Sequence, residues 1–349
     1  MNKAHRFTLL TGSAVILLAL PFDIQGKTLY VMNGSQPQRA VNVPCPGVND
    51  PKNTFGTIQA GVNAASPGDT VFVCEGTYIE QVRIDKSLRL QGENLSNTTI
   101  KPPMGSAQSA PSLFSGMPIP FIVLVDKVKG NNPGSTATNQ VSDQIDKNGN
   151  DNTDTDTRNN STLAVTDAGV VITDLTIDGQ SIASSACNPP NSALVGVFYR
   201  GSDGEVHSTH VTHICDTSST QSSIGIFVQS NRANQARVSI DSNSVDLYGK
   251  NGITANESGT RVTVRRNATT GRGHISDIAQ NGIQIGFGAQ GQVIGNVTSH
   301  HFYVPMTFTA CGILLFDATG NTTANGNFFV DNQQNVCTDN GDPPQPIRM

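Results

Sequence analysis

The sequence predicts an all-β chain wound as a parallel β-solenoid, and two repeating markers and one strand pattern carry that expectation. Glycine followed by a branched apolar residue recurs at Gly196-Val197, Gly225-Ile226, Gly252-Ile253, Gly282-Ile283 and Gly312-Ile313, at spacings of 29, 27, 30 and 30 residues. Asparagine recurs at Asn243, Asn267, Asn296 and Asn327, at spacings of 24, 29 and 31 residues. Each asparagine follows an apolar residue, Ile240, Val264, Val293 or Ala324, at the same interval. Periods of this length belong to stacked repeats. Between the markers, Val238-Ser-Ile240, Val262-Thr-Val264 and Ile283-Gln-Ile285 alternate apolar and polar residues, the period of a strand with one buried face. No helical pattern separates these strands, which excludes βαβ units. What remains is a coil whose turns stack at the strand spacing of ~4.8 Å. Asn251-Gly252 and Asn281-Gly282 are expected at turns that need left-handed backbone.

The elements follow in chain order. Residues 1–26 read as an export signal: Lys3, His5 and Arg6 start it, and Leu9 to Leu20 form an apolar run broken by Thr11, Gly12 and Ser13. That run is short for a membrane span. An uncleaved anchor is the alternative. No second apolar segment reaches spanning length, so no stable membrane span is expected after cleavage. The expected location is secreted, cell-surface or periplasmic. Residues 27–100 form an N-terminal cap and first coils. Thr28-Leu-Tyr-Val31 is a strand, and Thr57 to Ala65 is a helix with Ile58, Val62 and Ala65 on one side. Such a helix can cover the open end of a solenoid, where core and unpaired backbone would otherwise meet water. Residues 101–162 are an irregular polar insertion, broken by a strand at Phe121–Val125. Regular coils occupy 163–338, and 339–349 is a proline-containing tail.

Several stretches carry a resemblance. Thr28-Leu-Tyr-Val31, Thr57-Ile-Gln59, Ser66-Pro-Gly-Asp-Thr70, Gly76-Thr-Tyr78 and Asp85-Lys-Ser-Leu88 resemble the N-terminal segment of secreted right-handed parallel β-helix proteins, the pectate-lyase-like superfamily. Gly169-Val-Val-Ile172 with Leu175-Thr-Ile-Asp-Gly179 resembles that superfamily's first regular coil. The resemblance implies a single-stranded right-handed parallel β-helix with a short N-terminal capping helix. Its motifs are turns and core positions, so they speak for the fold and not for an activity.

Six cysteines fall into three intervals of about one coil: Cys45 to Cys74 is 29 residues, Cys187 to Cys215 is 28 and Cys311 to Cys337 is 26. Residues one coil apart lie near ~4.8 Å, within the ~4.4–6.8 Å Cα range a disulfide needs. Three sequential bridges are expected, which suits an oxidising compartment. Six buried free thiols are the alternative.

Composition narrows the partners. Only 14% of the 349 residues are charged, the net charge is −5, and no basic patch stands out, so a nucleic-acid partner is not expected. Tryptophan is absent and aromatics make up 5%, which gives little for sugar stacking. A lyase of this fold needs calcium-binding acids and an Arg or Lys base. A hydrolase needs converging carboxylates. Aligned on both markers, Asp246 falls beside Ser276, and no column holds two carboxylates. Asp241 aligns with Arg265. With Arg266 it reads either as an active site or as a ladder ion pair on an exposed sheet. Gly271-Arg-Gly-His274 puts a histidine in a glycine turn, a catalytic reading against a plain turn. His207, His210 and His213 alternate along one stretch, which places His210 on the opposite strand face from the other two. His300-His301-Phe302-Tyr303 reads as a ligand-contacting loop or a solvated turn. Asp146, Asn148, Asn150 and Asp154 offer oxygens at alternating positions, as calcium loops do. They lack that loop's glycine and final glutamate, and a solvated acidic loop is the other reading. The functional expectation is a secreted β-helix contacting extracellular polysaccharide. A polysaccharide lyase, hydrolase or epimerase is one alternative, and an adhesive solenoid is the other.

Overall fold

The computed structural model describes residues 26–33, 45, 50–103, 108–130, 168–179, 194–214, 223–338 and 346–349. The chain is a right-handed parallel β-helix of three sheets, and each coil contributes one strand to each sheet in turn. The first sheet holds ten strands, beginning Thr54–Phe55, Thr28–Val31, Thr70–Val73 and Leu88–Gly92. It continues through Val170–Thr173, Gly204–His207, Ala236–Asp241, Thr260–Arg265, Gln290–Ile294 and Thr323–Asn325. The second runs Gly76–Ile79, Thr98–Lys101, Thr176–Asp178, His210–Thr212, Ser244–Asp246, Ala268–Ile275, Val297–Tyr303 and Phe328–Val330. The third runs Val82–Ile84, Pro118–Asp126, Val195–Arg200, Ile224–Gln229, Asn251–Asn256, Asn281–Gly286, Cys311–Phe316 and Gln334–Thr338. A short strand, Ser109–Pro111, adds to Pro118–Asp126 in antiparallel sense.

Register aligns like with like. Leu29, Val71, Leu90, Ile172, Val206, Ile240, Val264 and Val293 form one inward column of the first sheet. Val123, Val197, Ile226, Ile253, Ile283 and Ile313 form another in the third. These side chains are fully buried, and each covers the one below, so a shift of one residue would turn a whole strand's apolar set outward.

The two sequence markers have separate structural causes. The asparagines form a hydrogen-bonded ladder at the turn from the first sheet to the second. Asn267 Nδ2 donates to Ile240 O at 2.9 Å and to Asn296 Oδ1 at 2.9 Å, and its own Oδ1 accepts from Asn243 N and Nδ2 at 3.0 and 2.9 Å. The turn is sharp because the preceding residue is left-handed: φ is +50° at Ser208, +56° at Ser242 and +54° at Arg266. The glycines have another cause. Gly252 and Gly282 lie inside strands, not at left-handed turns as expected, and have ordinary φ. They are small because the coils meet closely there. A Cβ on Gly225 would sit 2.4 Å from Val245 Cγ1 and 2.6 Å from Gly252 O, and one on Gly282 would sit 2.5 Å from Gly312 O.

The N-terminal end is closed by the helix Ile58–Ala64, capped by Thr57, whose Oγ1 accepts from Ala60 N at 3.2 Å. Glu80 accepts from Ile58 N and Gln59 N at 2.8 and 2.9 Å. Cys45 is bridged to Cys74 with Cα atoms 5.9 Å apart, and Cys311 to Cys337 at 6.0 Å. Cys187, Cys215, residues 1–25 of the expected export signal, and Asp146, Asn148, Asn150 and Asp154 lie outside the described residues. Two boundaries change. Within the 101–162 stretch, Pro118–Asp126 is a full strand of the third sheet. In the 339–349 tail, residues 346–349 pack against that same sheet. Among the described residues, no helix is long and apolar enough to cross a membrane.

Candidate acid–base site on the second sheet

The asparagine ladder supplies the register that the glycines could not. On the second sheet, Asp178 stands opposite Thr212, and Val211 opposite Val245, which brings Asp246 beside Thr212. Asp178, Thr212 and Asp246 are therefore three successive members of one outward column. Each lies three positions past the ladder position of its coil, Leu175, Thr209 or Asn243. Two carboxylates thus share a column, which corrects the sequence alignment. Asp246 pairs with Thr270, not with Ser276. The glycine marker lies beyond a turn of variable length, so it misplaces everything before that turn.

Side chains converge on this column. Lys101 Nζ lies 2.9 Å from Asp178 Oδ2, and His213 Nδ1 lies 3.3 Å from Asp178 Oδ1. His210 Nε2 lies 3.0 Å from Asp246 Oδ2. Thr212 Oγ1 donates to Asp246 Oδ1 at 2.5 Å and lies 3.2 Å from His213 Nδ1. The chain Lys101–Asp178–His213–Thr212–Asp246–His210 is thus continuous. Asp178 and Thr212 are buried at its floor, while the side chains of His210, His213 and Asp246 remain about one-third exposed. His213 lies just past its strand with φ +53°. That turn brings it back toward Asp178 beside His210, where straight alternation would have put the two on opposite faces.

Electrostatics divides the pair. The hydrogen bond that His210 donates to Asp246 raises its pKa above the ordinary imidazole value, against the opposing effect of burial. Burial pushes Asp246 up, but hydrogen bonds from His210 and Thr212 outweigh it and leave the carboxyl below its usual value. Both shifts favour an imidazolium held by a carboxylate: a positioned proton donor beside a second carboxylate.

The residues singled out in the sequence take other places. Asp241, Arg265 and Arg266 meet on the first sheet. Asp241 is buried and accepts from Arg265 Nε at 2.9 Å, Arg266 Nε at 2.9 Å, Arg266 NH2 at 2.6 Å and Ser242 Oγ at 2.9 Å. Those contacts use the acceptor capacity of a carboxylate, and they clamp the turn. His207 stands in the same column as Asp241 and lies 3.1 Å from Thr173 Oγ1. His274 lies on the second sheet, stacked on Phe302 at 4.0 Å and 3.9 Å from Asp331. The four histidine and aromatic residues at 300–303 belong to one strand. His301 is buried in it, between Tyr248 Oη on Nε2 and Asn332 Oδ1, 2.8 Å from Nδ1.

No family model matches the sequence. No curated protein matches it either. Solved structures of similar fold include pectin methylesterase PemA from Erwinia chrysanthemi, 13% identical, TM-score 0.34, covering 84% of this chain and 92% of that one. Escherichia coli YbhC is 12% identical with a TM-score of 0.38 and covers 94% and 88%. The A-module of Azotobacter vinelandii mannuronan C-5 epimerase AlgE4 is 12% identical with a TM-score of 0.24 and covers 84% and 95%. At these identities and TM-scores nothing about this chain is argued from them; the fold rests on the sheet topology above.

Proposed function

We propose that this chain is an exported carbohydrate-acting β-helix, and that the second sheet carries an acid–base site for a linear glycan. The observation behind this reading is the column Asp178–Thr212–Asp246 with Lys101, His210 and His213 around it. Neighbouring members of a column are one strand spacing apart, so the two aspartates are separated by roughly 9.6 Å along the helix axis. Thr212 and His213 fill the interval between them, so a glycan would lie over the column, against its partly exposed His210, His213 and Asp246. His210, whose protonated form Asp246 favours, is placed to donate a proton to a leaving oxygen. His213, oriented by Asp178, is placed to accept one. The substrate class is a polyuronate or another linear glycan. Titrating calcium into the assay tests the Asp146–Asp154 segment as well.

The second reading is a glycan-binding surface without turnover, favoured by the fact that both carboxylates already have cationic partners. Turnover and binding should be measured on polyuronates and neutral glycans, with and without calcium, for the wild type and for His210→Gln and Asp246→Asn. The acid–base reading expects wild-type turnover and a loss of about 100-fold or more in kcat for each variant. Glycan binding without wild-type turnover selects the second reading. Neither binding nor turnover on any glycan sinks both.

A further inference from the structure

The outer face of the third sheet is not bare. Residues 346–349 lie along it, and Ile347, Arg348 and Met349 each meet a matching group. Gln284 holds both backbone groups of Ile347: its Oε1 accepts from Ile347 N at 2.9 Å, and its Nε2 donates to Ile347 O at 2.8 Å. Asn256 Nδ2 donates to the same carbonyl at 2.8 Å. Gln229 Nε2 and Ser112 Oγ donate to Met349 O at 2.8 and 2.6 Å. The Ile347 and Met349 side chains are buried among residues that include Phe121, Phe198 and Phe227. Arg348 turns the other way. Its Nε and NH2 reach the two carboxylate oxygens of Glu257 at 2.9 and 2.8 Å. Its guanidinium lies 3.6 Å from the centre of the Phe114 ring and 4.8 Å from that of Phe287.

Gln229, Asn256 and Gln284 come from three successive coils and are completely buried. Buried amides among aromatic and aliphatic side chains are costly unless they are satisfied. The backbone of the segment supplies four of their hydrogen bonds, and Ser112, Leu113, Asn251 and the Asn256–Gln284 contact supply the others. A side-chain amide that reads both N–H and C=O of one residue does what a neighbouring strand would do, and so selects an extended peptide. A carboxylate that grips a guanidinium in bidentate fashion, roofed by rings, selects arginine. The apolar floor on either side selects apolar neighbours.

We propose that this face is a recognition groove for an extended peptide carrying arginine between two apolar side chains, and that residues 346–349 occupy it as an intramolecular latch. The tether gives the latch a high effective concentration, so an external peptide cannot compete until the latch is released. The groove lies on a different sheet from the acid–base site and stands independently of it.

The probe is a fluorescein-labelled synthetic peptide with the sequence of residues 343–349, Pro-Pro-Gln-Pro-Ile-Arg-Met. Its binding is measured by anisotropy to the wild type, to a chain lacking residues 346–349, and to full-length Arg348→Glu, which sets like charges against Glu257. Circular dichroism and thermal melts check the fold of each. Either folded latch-free protein should bind the peptide at least tenfold more tightly than the wild type. Glu257→Gln in the protein, or glutamine for arginine in the peptide, should each remove at least tenfold of that affinity. A folded latch-free protein that does not bind, or binding indifferent to Glu257 and to the arginine, overturns the groove. Equal binding to the wild type overturns the latch. If neither variant folds, the segment is part of the core and the proposal fails.

Discussion

At the scale of single residues, two histidines in one molecule are tuned in opposite directions by their surroundings. His210 has a carboxylate within hydrogen-bond reach and sits partly in water, so its pKa is raised. His301 has no oppositely charged partner; burial lowers its pKa to about 4, against the favourable hydrogen bond that its Nδ1 makes to Asn332 Oδ1. The signs follow. A group whose folded pKa is raised stabilises the fold below its unfolded pKa, and that contribution is lost as pH rises through the folded value. The His210 contribution is thus full below about 6.5 and fades above its raised folded value. Asp246, with a lowered folded pKa, stabilises above about 3.8 and loses its contribution as pH falls through the folded value. His301 must stay neutral when folded, so stability falls as pH drops from about 6.5 towards 4, by roughly 3 kcal/mol in all. NMR titration of the imidazole protons should show His210 titrating above 6.5 and His301 silent until well below 6. In Asp246→Asn, the His210 midpoint should move down. An unmoved midpoint would show that the pair does not form.

At the scale of elements, what matters is how one coil sits on the next. Asn267 ties three coils together through buried amide bonds. Replacing it with alanine leaves its backbone and amide partners unsatisfied, and should cost about 2–4 kcal/mol in urea denaturation. Gly225→Ala puts a methyl group into Val245 and the Gly252 carbonyl. The coils must part to admit it, and the expected loss is about 1–3 kcal/mol. Gly225→Ala presses on Val245, next to Asp246, so it should also lower activity per folded molecule. Ladder and glycine column were both legible as sequence periods, because each coil must repeat the same solution to the same contact. The reason for the glycines was not legible. A Gly-Ile pair reads as a turn in sequence, and only the distance to the next coil shows that it is a close contact. The acid–base column is not legible from either marker: a turn of variable length separates it from the glycines, and in the coils of Asp178 and Thr212 the ladder position is Leu175 or Thr209, not asparagine.

At the scale of the whole molecule, stability is a nearest-neighbour property, so the ends decide how the helix opens. The N-terminal end has a capping helix and the Cys45–Cys74 bridge. The last described coils have the Cys311–Cys337 bridge, which closes an interval of 26 residues. By loop entropy that bridge contributes about 3.5 kcal/mol. Replacing both cysteines with serine should speed hydrogen exchange in Cys311–Phe316 and Gln334–Thr338 and leave Val170–Thr173 unchanged. Uniform acceleration along the chain would mean that the solenoid opens as one unit.

The sequence by itself determined the period, the strands, the capped N-terminus and the pairing of Cys45 with Cys74 and Cys311 with Cys337. Those are local consequences of a repeat in which every coil meets the same geometry. Tertiary structure alone decided that Asp178 and Asp246 face one another across Thr212, that a left-handed turn swings His213 towards Asp178, and that residues 346–349 return to the third sheet. The physical reason is the variable turn. Strand length and ladder spacing are set by backbone hydrogen bonding and repeat faithfully. The turns between sheets answer to no such constraint, so the sums of their lengths, which determine what becomes a neighbour in space, cannot be read from the period.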